Sequence, residues 1–429
     1  MSSRTLAGWL ARLEQLHPKE IDMGLQRVSQ VAQRMGVLKP APLVISVSGT
    51  NGKGSTCAAV HALLQAAGMH VGCYSSPHLI DYNERVRIGD QLASDAQLCA
   101  AFASIEAVRG DVSLTYFEFG TLAALLLFQR AEVDAVVLEV GLGGRLDAVN
   151  VVDADIAIVT SIGLDHQQYL GNTRDSVGYE KAGIARADRP LICGEIDLPP
   201  RFVSTLADIG PQVYQRGIEL DWQPLATEDG AWQVRVKDRK GVEHTLGPLA
   251  AVDLPRDNLL LAIQACVLAG CQLSGVQISQ TLQQLRLSGR MDWRSLQWRG
   301  QTRQLCLDVG HNPHAASWLA STLSRRDQPI RAVFSALDDK DLKGIVQALR
   351  GRFVDWAVAP LPTPRSRNAD ELQQVLDGQG ETAHCHASVA AAISAQLDAD
   401  DESAIMVFGS FFTVAAALEW LANEELNNG

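Results

Sequence analysis

A chain of 429 residues with 47% hydrophobic content exceeds what one core normally organises, so two domains are expected. Its formal charge of -12 argues against nucleic-acid and anionic-membrane partners, leaving any anionic ligand to local devices such as helix ends, metal ions and a few Arg or Lys. The eight cysteines show no CxxC pair and read as reduced core thiols; with no signal-like start and no apolar run longer than 122–128, a cytoplasmic protein that does not cross a membrane is expected.

The first periodic segment is 21–35, where Ile21, Leu25, Val28, Ala32 and Met35 recur at helical spacing behind Asp22, predicting a packing helix capped by Asp22. From Leu43, β-branched runs alternate with helical periodicity. Strands are predicted at 43–48, 71–74, 134–140, 155–160 and 190–193, and helices at 53–67, 94–108, 118–131 and 174–186. This is the pattern of a doubly wound, mostly parallel α/β sheet, in which ligands collect beyond the carboxyl ends of the strands. Between 212 and 256, pieces such as WQVRVK suggest a small antiparallel excursion, and helices return at 257–271 and 275–286. The break at Ser288-Gly289-Arg290 divides a first domain, 1–288, from a second, 289–429. Polar, Trp-containing sequence then runs to Gln304. A smaller Rossmann-like α/β alternation follows, with strands at 304–309, 330–335, 354–359 and 403–408 and helices at 313–323, 340–350, 369–377 and 411–422.

The densest chemical signal is LVISVSGTNGKGST at 43–56, an apolar strand entering a glycine-rich turn that carries one lysine and then hydroxyls. Gly49, Gly52 and Gly54 allow a tight turn that aims backbone N–H groups at one point, at the positive end of the helix starting near Lys53. Lys53 would reach the β- and γ-phosphates of a nucleotide, and Ser55 or Thr56 would ligate Mg²⁺. The usual P-loop sets Ser or Thr directly after its lysine. Here Gly54 intervenes, making this a variant loop.

Ser76, Glu139, Asp165 and His166 all fall where the sheet pattern places strand ends. An ionised Glu139 closing the run VDAVVLE needs a partner, and Mg²⁺ shared with Ser55 would serve. A second ion near Ser76 and His166 would accept substrate oxygens. The structural alternative pairs Glu139 with Arg145, or uses it as a helix cap, and leaves His166 as an ordinary loop or core histidine. Lys181, on a predicted helix, would by itself be a solvated lysine.

GTNGKGST, YSSPHL, LEVGLGGRLDA, SIGLDH, EKAGI, GRM and DVGHNP stand in order along nearly the whole chain. Together they resemble the folylpolyglutamate synthase and dihydrofolate synthase family of ATP-dependent amide ligases, which also includes the Mur ligases. The resemblance implies that Gly49, Thr50, Asn51, Gly52, Lys53, Gly54 and Ser55 hold the triphosphate, and that Ser55, Ser76, Glu139 and His166 serve two Mg²⁺ sites. Lys53, Lys181 and His166 would be catalytic, and Lys181 matches a lysine that relatives convert to a carbamate, a reaction that needs a neutral amine and hence a depressed pKa. Asn258, Arg290, Asp308 and His311 would contact nucleotide or orient the second domain. Thr115, Tyr116, Phe117 and Glu118 (TYFE), Leu146, Asp147 and Ala148, and more loosely Asp22, match places where bifunctional members bind the pterin substrate. Two positions depart from the pattern: Gly310 stands where many relatives carry Ala, and PRDN replaces the more usual Pro-Gln or His-Gln form before Asn258.

The activity implied is ATP-dependent joining of L-glutamate to dihydropteroate and to folates through an acyl phosphate, by a cytoplasmic monomer. A two-domain clamp would suit the exclusion of water from that intermediate. A ligase restricted to one acceptor, a Mur-type amino-acid ligase and a nucleotide-switched binding protein are the alternatives. About 40 residues precede the loop, too few for the further N-terminal domain usual in Mur ligases.

Overall fold

The computed structural model describes residues 4–227, 229–399 and 402–428. The chain separates into two compact units, Met1–Leu285 and Arg286–Gly429.

The first unit opens with helices α1 (Leu6–Leu16) and α2 (Gln26–Met35) and continues through β1 (Leu43–Ser48), α3 (Lys53–Ala66), β2 (Val71–Tyr74), β3 (Val86–Ile88) and β4 (Gln91–Leu92). It proceeds through α4 (Asp95–Arg109), α5 (Tyr116–Arg130), β5 (Ala135–Glu139), β6 (Ile156–Val159), α6 (Gln167–Leu170), α7 (Arg174–Ala182), β7 (Pro190–Cys193), α8 (Pro200–Ile209) and β8 (Gln212–Gln215). These strands form one sheet in the order β4-β3-β2-β5-β1-β6-β7-β8, parallel from β2 to β8 with an antiparallel β3–β4 edge. The central strands are buried on both faces, as a parallel sheet between helical layers requires. Register aligns Val47 with Glu139 on one side and Ile158 on the other. The loops leaving β1, β5 and β6 therefore emerge together, and that shared edge positions the site.

Three antiparallel strands, β9 (Asp221–Pro224), β10 (Trp232–Lys237) and β11 (Glu243–Leu249), form the expected excursion in the order β11-β10-β9, followed by α9 (Arg256–Leu268) and α10 (Gly275–Gln284).

Several sequence expectations are corrected here. The helix predicted at 21–35 begins only at Gln26, and Asp22 is not its cap: the N-cap is Leu25, without a side-chain bond. Gly24 N–H instead donates to Leu146 C=O at 3.1 Å, holding the preceding segment out of the helix. Helix α5 starts two residues early because Thr115 and Glu118 cap each other's backbone N–H. Helix α7 ends at Ala182, not 186; a Cβ on Gly183 would lie 2.3 Å from the Arg145 Cβ. Helices α1 and α8, the β3–β4 hairpin and the edge strand β8 were not predicted. The thiols are free but not all in the core: Cys99 and Cys271 are half-buried and Cys385 is exposed.

In the second unit, β12 (Asp292–Trp298) and β13 (Gln301–Asp308) form a hairpin, followed by α11 (Pro313–Leu323), β14 (Ile330–Phe334), α12 (Leu342–Leu349) and β15 (Trp356–Val358). Then come α13 (Ala369–Asp377), β16 (Ala383–Cys385), α14 (Val389–Leu397), β17 (Ala404–Phe408) and α15 (Phe411–Asn428). The sheet order is β12-β13-β17-β14-β15-β16, parallel except for β12. The polar, Trp-containing stretch, given no element in the sequence reading, is the half-exposed edge strand β12; β16 and α14 are further elements without a predicted counterpart. Asn312 caps α11 through a 3.0 Å bond from Ala315 N–H, with Pro313 as first residue. Among the described residues, no helix is long and apolar enough to cross a membrane.

Candidate active site

The loop between β1 and α3 is bent at Gly49 (φ 156°) and Gly52 (φ 85°), whereas Gly54 is already helical. Both bends need glycine for a second reason. A Cβ on Gly49 would sit 1.7 Å from Thr160 Oγ1, and one on Gly52 would sit 2.4 Å from Asn258 Oδ1. The loop is clamped to the segment after β6: Thr50 N–H donates to Ser161 C=O at 2.9 Å, and Thr50 Oγ1 both donates to Gly163 C=O (2.9 Å) and accepts from Gly163 N–H (3.0 Å). Asn51 N–H donates to Ser161 Oγ at 3.0 Å, while Thr160 Oγ1 donates to Asn51 C=O at 2.6 Å. The side chain of Thr50 is thus a strut. Thr160 and Ser161, which the sequence reading passed over, hold the cradle.

Lys53 Nζ donates to Gly49 C=O at 3.0 Å, folded back over its own loop. Ser55 Oγ donates to Gly52 C=O at 3.2 Å and accepts from Asn258 Nδ2 at 2.8 Å. A hydroxyl has one proton and two lone pairs, so one lone pair of Ser55 stays available to a cation.

Lys181 is the sharpest departure from a surface lysine: it is 2% exposed. Burial, helped by the charge of Lys53, pulls its pKa down to about 7 against Asp165 and Asp147, which act in the opposite sense. The glycines of GLGGRLDA bring it there. A Cβ on Gly144 would lie 2.8 Å from Glu180 C=O, and Arg145 N–H donates to that carbonyl at 2.7 Å. Asp147 is buried, which pushes its pKa up to about 6 against the N–H groups of Leu142 and Val149 and the charge of Lys53. Lys53, Lys181 and Asp147 therefore act on one another electrostatically.

Glu139 is 4% exposed at the end of β5, and its Oε2 accepts from Ser76 N–H at 3.2 Å. Arg145 is not its partner; that guanidinium pairs with Glu180 at 2.8 Å. His166 is half-buried in a left-handed conformation (φ 49°, ψ 42°) at the start of α6, on the segment that clamps the nucleotide loop. Among the described residues, no three His, Cys, Asp or Glu side chains gather as an all-protein metal cage would need. Glu139, a buried carboxylate, and Ser55, with a lone pair left over, are oxygen donors of the kind a hard cation takes while it keeps waters and phosphate oxygens as its other ligands.

Arg27 ties the expected acceptor residues together. It donates to Asp22 Oδ2 at 2.7 Å and to Asp22 C=O at 2.6 Å, and pairs with Glu118 at 3.1 Å. Thr115 and Glu118 form the reciprocal cap of α5, with bonds of 2.7 and 3.1 Å, so within TYFE those two side chains are structural. Phe117 packs at Gly141, where a Cβ would approach its ring to 2.7 Å, and Tyr116 lies edge-on to Tyr82 with centroids 5.7 Å apart. Leu146, Asp147 and Ala148 join this region through the Gly24–Leu146 bond.

In the second unit Asp308 is buried, which raises its pKa against the charge of Arg290; its carboxylate accepts from Met291 N–H (3.0 Å) and Gly310 N–H (2.7 Å). Arg290 lies 5.2 Å over the Phe411 ring rather than free in solvent, and His311 Nδ1 is 2.9 Å from Val309 C=O. A Cβ at Gly310 would come within 2.9 Å of Asp308 Oδ1, so the glycine there makes room for the carboxylate.

Residues 47–190 match the Mur ligase middle domain and residues 289–411 the Mur ligase glutamate ligase domain. The chain is 45% identical over 417 residues to the dihydrofolate synthase/folylpolyglutamate synthase of Escherichia coli K12, covering 96% of this chain and 95% of that one. Among solved structures, E. coli FolC in complex with DHPP and ADP superposes with a TM-score of 0.90 at 43% identity, covering 99% of each chain. The bifunctional Yersinia pestis CO92 enzyme gives 0.89 at 43% identity, covering 98% of this chain and 99% of that one.

Proposed function

The chain belongs to the dihydrofolate synthase/folylpolyglutamate synthase family of Mur-type ligases, and from that premise we propose how its own residues carry out the reaction. It is an ATP-dependent ligase that joins L-glutamate to dihydropteroate, forming dihydrofolate, and to folates, forming folylpolyglutamates. An acceptor carboxylate oxygen attacks the γ-phosphorus of ATP; the new O–P bond forms as the β,γ-bridging P–O bond breaks, and ADP leaves. The glutamate amine then attacks the acyl carbon, phosphate departs, and the amine gives up its proton.

The observation that carries the reading is the cradle itself: two glycine bends, a lysine at the helix start and a serine hydroxyl oriented by Asn258. Gly49–Ser55 hold the triphosphate, and Lys53 leaves its own loop carbonyl to meet the γ-phosphoryl oxygens, where charge develops. A Mg²⁺ ion held by Ser55 and Glu139, and a second near Ser76 and His166, would screen the phosphate charge from the incoming carboxylate. Manganese accompanies AMPPNP in a solved complex of the bifunctional Y. pestis relative, which supports a divalent ion in this role. Lys181, near neutral pKa and buried, suits reaction as a free amine with CO₂; its carbamate would be a further anion beside Lys53.

Acceptor binding is assigned to Asp22, Tyr116, Phe117 and the Leu146–Ala148 segment, with Thr115 and Glu118 shaping it. Asn258, Arg290, Asp308 and His311 are assigned to the nucleotide on the strength of the motif match. A cytoplasmic monomer is the accompanying expectation, the location resting on the unpaired cysteines, and the net charge of -12 argues against nucleic-acid and anionic-membrane partners. The deciding experiment supplies purified protein with Mg-ATP, glutamate and either dihydropteroate or a reduced folate. ADP release and glutamylated product are expected with both acceptors, and acceptor-independent ADP release without product would overturn the reading.

A further inference from the structure

The three-stranded sheet β9–β11 takes no part in the roles assigned above, yet it grips the two residues that immediately precede Asn258. Trp222, on β9, donates its indole N–H to Asp257 Oδ1 at 2.7 Å. Arg216, just beyond β8, pairs with Asp257 Oδ2 at 2.7 Å. Arg256 lies 5.0 Å over the Trp222 ring and 5.9 Å from the Trp232 ring of β10, and donates to Gly230 C=O at 2.9 Å in the β9–β10 connection. Trp222 and Trp232 meet edge to face with centroids 6.3 Å apart, and Trp232 is fully buried. The first turn of α9 is thus anchored from outside by an indole N–H, an ion pair and a guanidinium between two indoles. These are the residues of the PRDN turn, where the chain departs from its family's usual form.

We propose that this sheet is a positioning device for the nucleotide loop, acting through Arg256 and Asp257 on Asn258 and so on Ser55. Asn258 has little slack: its Oδ1 already fills the space a Cβ on Gly52 would take, and its Nδ2 fixes the Ser55 hydroxyl at 2.8 Å. A shift of a few tenths of an ångström in the first turn of α9 moves the one donor that decides which Ser55 lone pair faces the phosphates. Trp222, Arg256 and Asp257 are therefore positioning residues for Mg-ATP, with no contact to acceptor or glutamate required. The inference rests on the nucleotide site proposed above.

The test uses full-length protein and measures kcat and KM for Mg-ATP, glutamate and acceptor, ADP affinity by calorimetry, and thermal melting, for W222F, D257A, D257N and N258A. W222F keeps an aromatic ring beside Arg256 and removes the indole donor together with part of the ring system. A rise in KM for Mg-ATP and a loss of ADP affinity of about fivefold are expected for W222F and D257A, with KM for acceptor and glutamate unchanged. D257N, which keeps an acceptor for Trp222, should recover part of the loss. Placing D257A in the N258A background should add no further rise, since the effect passes through Asn258. Unchanged nucleotide parameters in variants that melt like the parent, equal loss for all three substrates, or full additivity with N258A would each overturn the inference. If the parent protein shows no acceptor-dependent ADP release, it is the ligase reading that fails, while the calorimetric arm still decides this one.

Discussion

Buried charge is used differently in the two units. In the first, Lys181, Asp147 and Glu139 lie at 2%, 6% and 4% exposure; burial and the charge of Lys53 push Lys181 toward neutrality at physiological pH, while Asp147 acts against them. In the second, Asp308 is equally buried at 5%, but two backbone N–H groups occupy its carboxylate and tie the SGRM and DVGHNP turns together. Asp147 is likewise held by the Leu142 and Val149 N–H groups, so the difference lies in the neighbouring charge: two lysines, Lys53 and Lys181, repel each other beside Asp147 and fit a site waiting for an anionic ligand, whereas Asp308 is balanced by Arg290 and its two N–H donors. The contrast separates residues that act on turnover from residues that act on stability.

The largest effect that would sharpen it is at Lys53. Lys53→Met should lower acceptor-dependent ADP release by about 10³ while leaving the melting temperature near that of the parent, because the lost interaction is with developing phosphate charge. Glu139→Gln should cost about a hundredfold and raise the Mg²⁺ concentration giving half-maximal rate; an unaltered metal dependence would assign Glu139 to the Ser76 backbone alone. For the second unit, Asp308→Ala strands two N–H groups and should lower unfolding free energy by about 2–3 kcal/mol in urea titrations. A stable Asp308→Ala protein that fails to bind ADP would break the contrast, showing that Asp308 serves the nucleotide and not the tie between the two turns.

Lys181 provides a pH signature. Its folded pKa of about 7 lies below its ordinary 10.5, so between those values the unfolded chain binds more protons and stability rises with pH. In CO₂-free buffer the melting temperature should climb from pH 7 toward 10, and Lys181→Met should flatten that slope. Bicarbonate should raise activity in the parent and not in Lys181→Met; no response in the parent would remove the carbamate. The smallest effect is at Thr115, where Thr115→Ala should cost about 1 kcal/mol as a lost cap, with KM for ATP unchanged.

Local signals made much of this readable. The loop at 49–55 and the alternation of β-branched strands with helical periodicity need only neighbours a few residues apart. Asn312-Pro313 was legible as a helix start for the same reason. Amphipathic α8 and the short edge strands escaped because their apolar content is thin or their pairing distant, and Asp22 misled because a cap and an ion-pair partner look alike in sequence.

By itself the chain determined its family, its nucleotide loop and the order of its motifs, since these rest on residue types at fixed short spacing. Only the tertiary structure decided that Lys181 is buried, that Thr50 is a strut and that a small sheet grips the turn before Asn258. Burial, pKa and hydrogen-bond partnership depend on groups 35 to 203 residues away, and no local pattern encodes that distance.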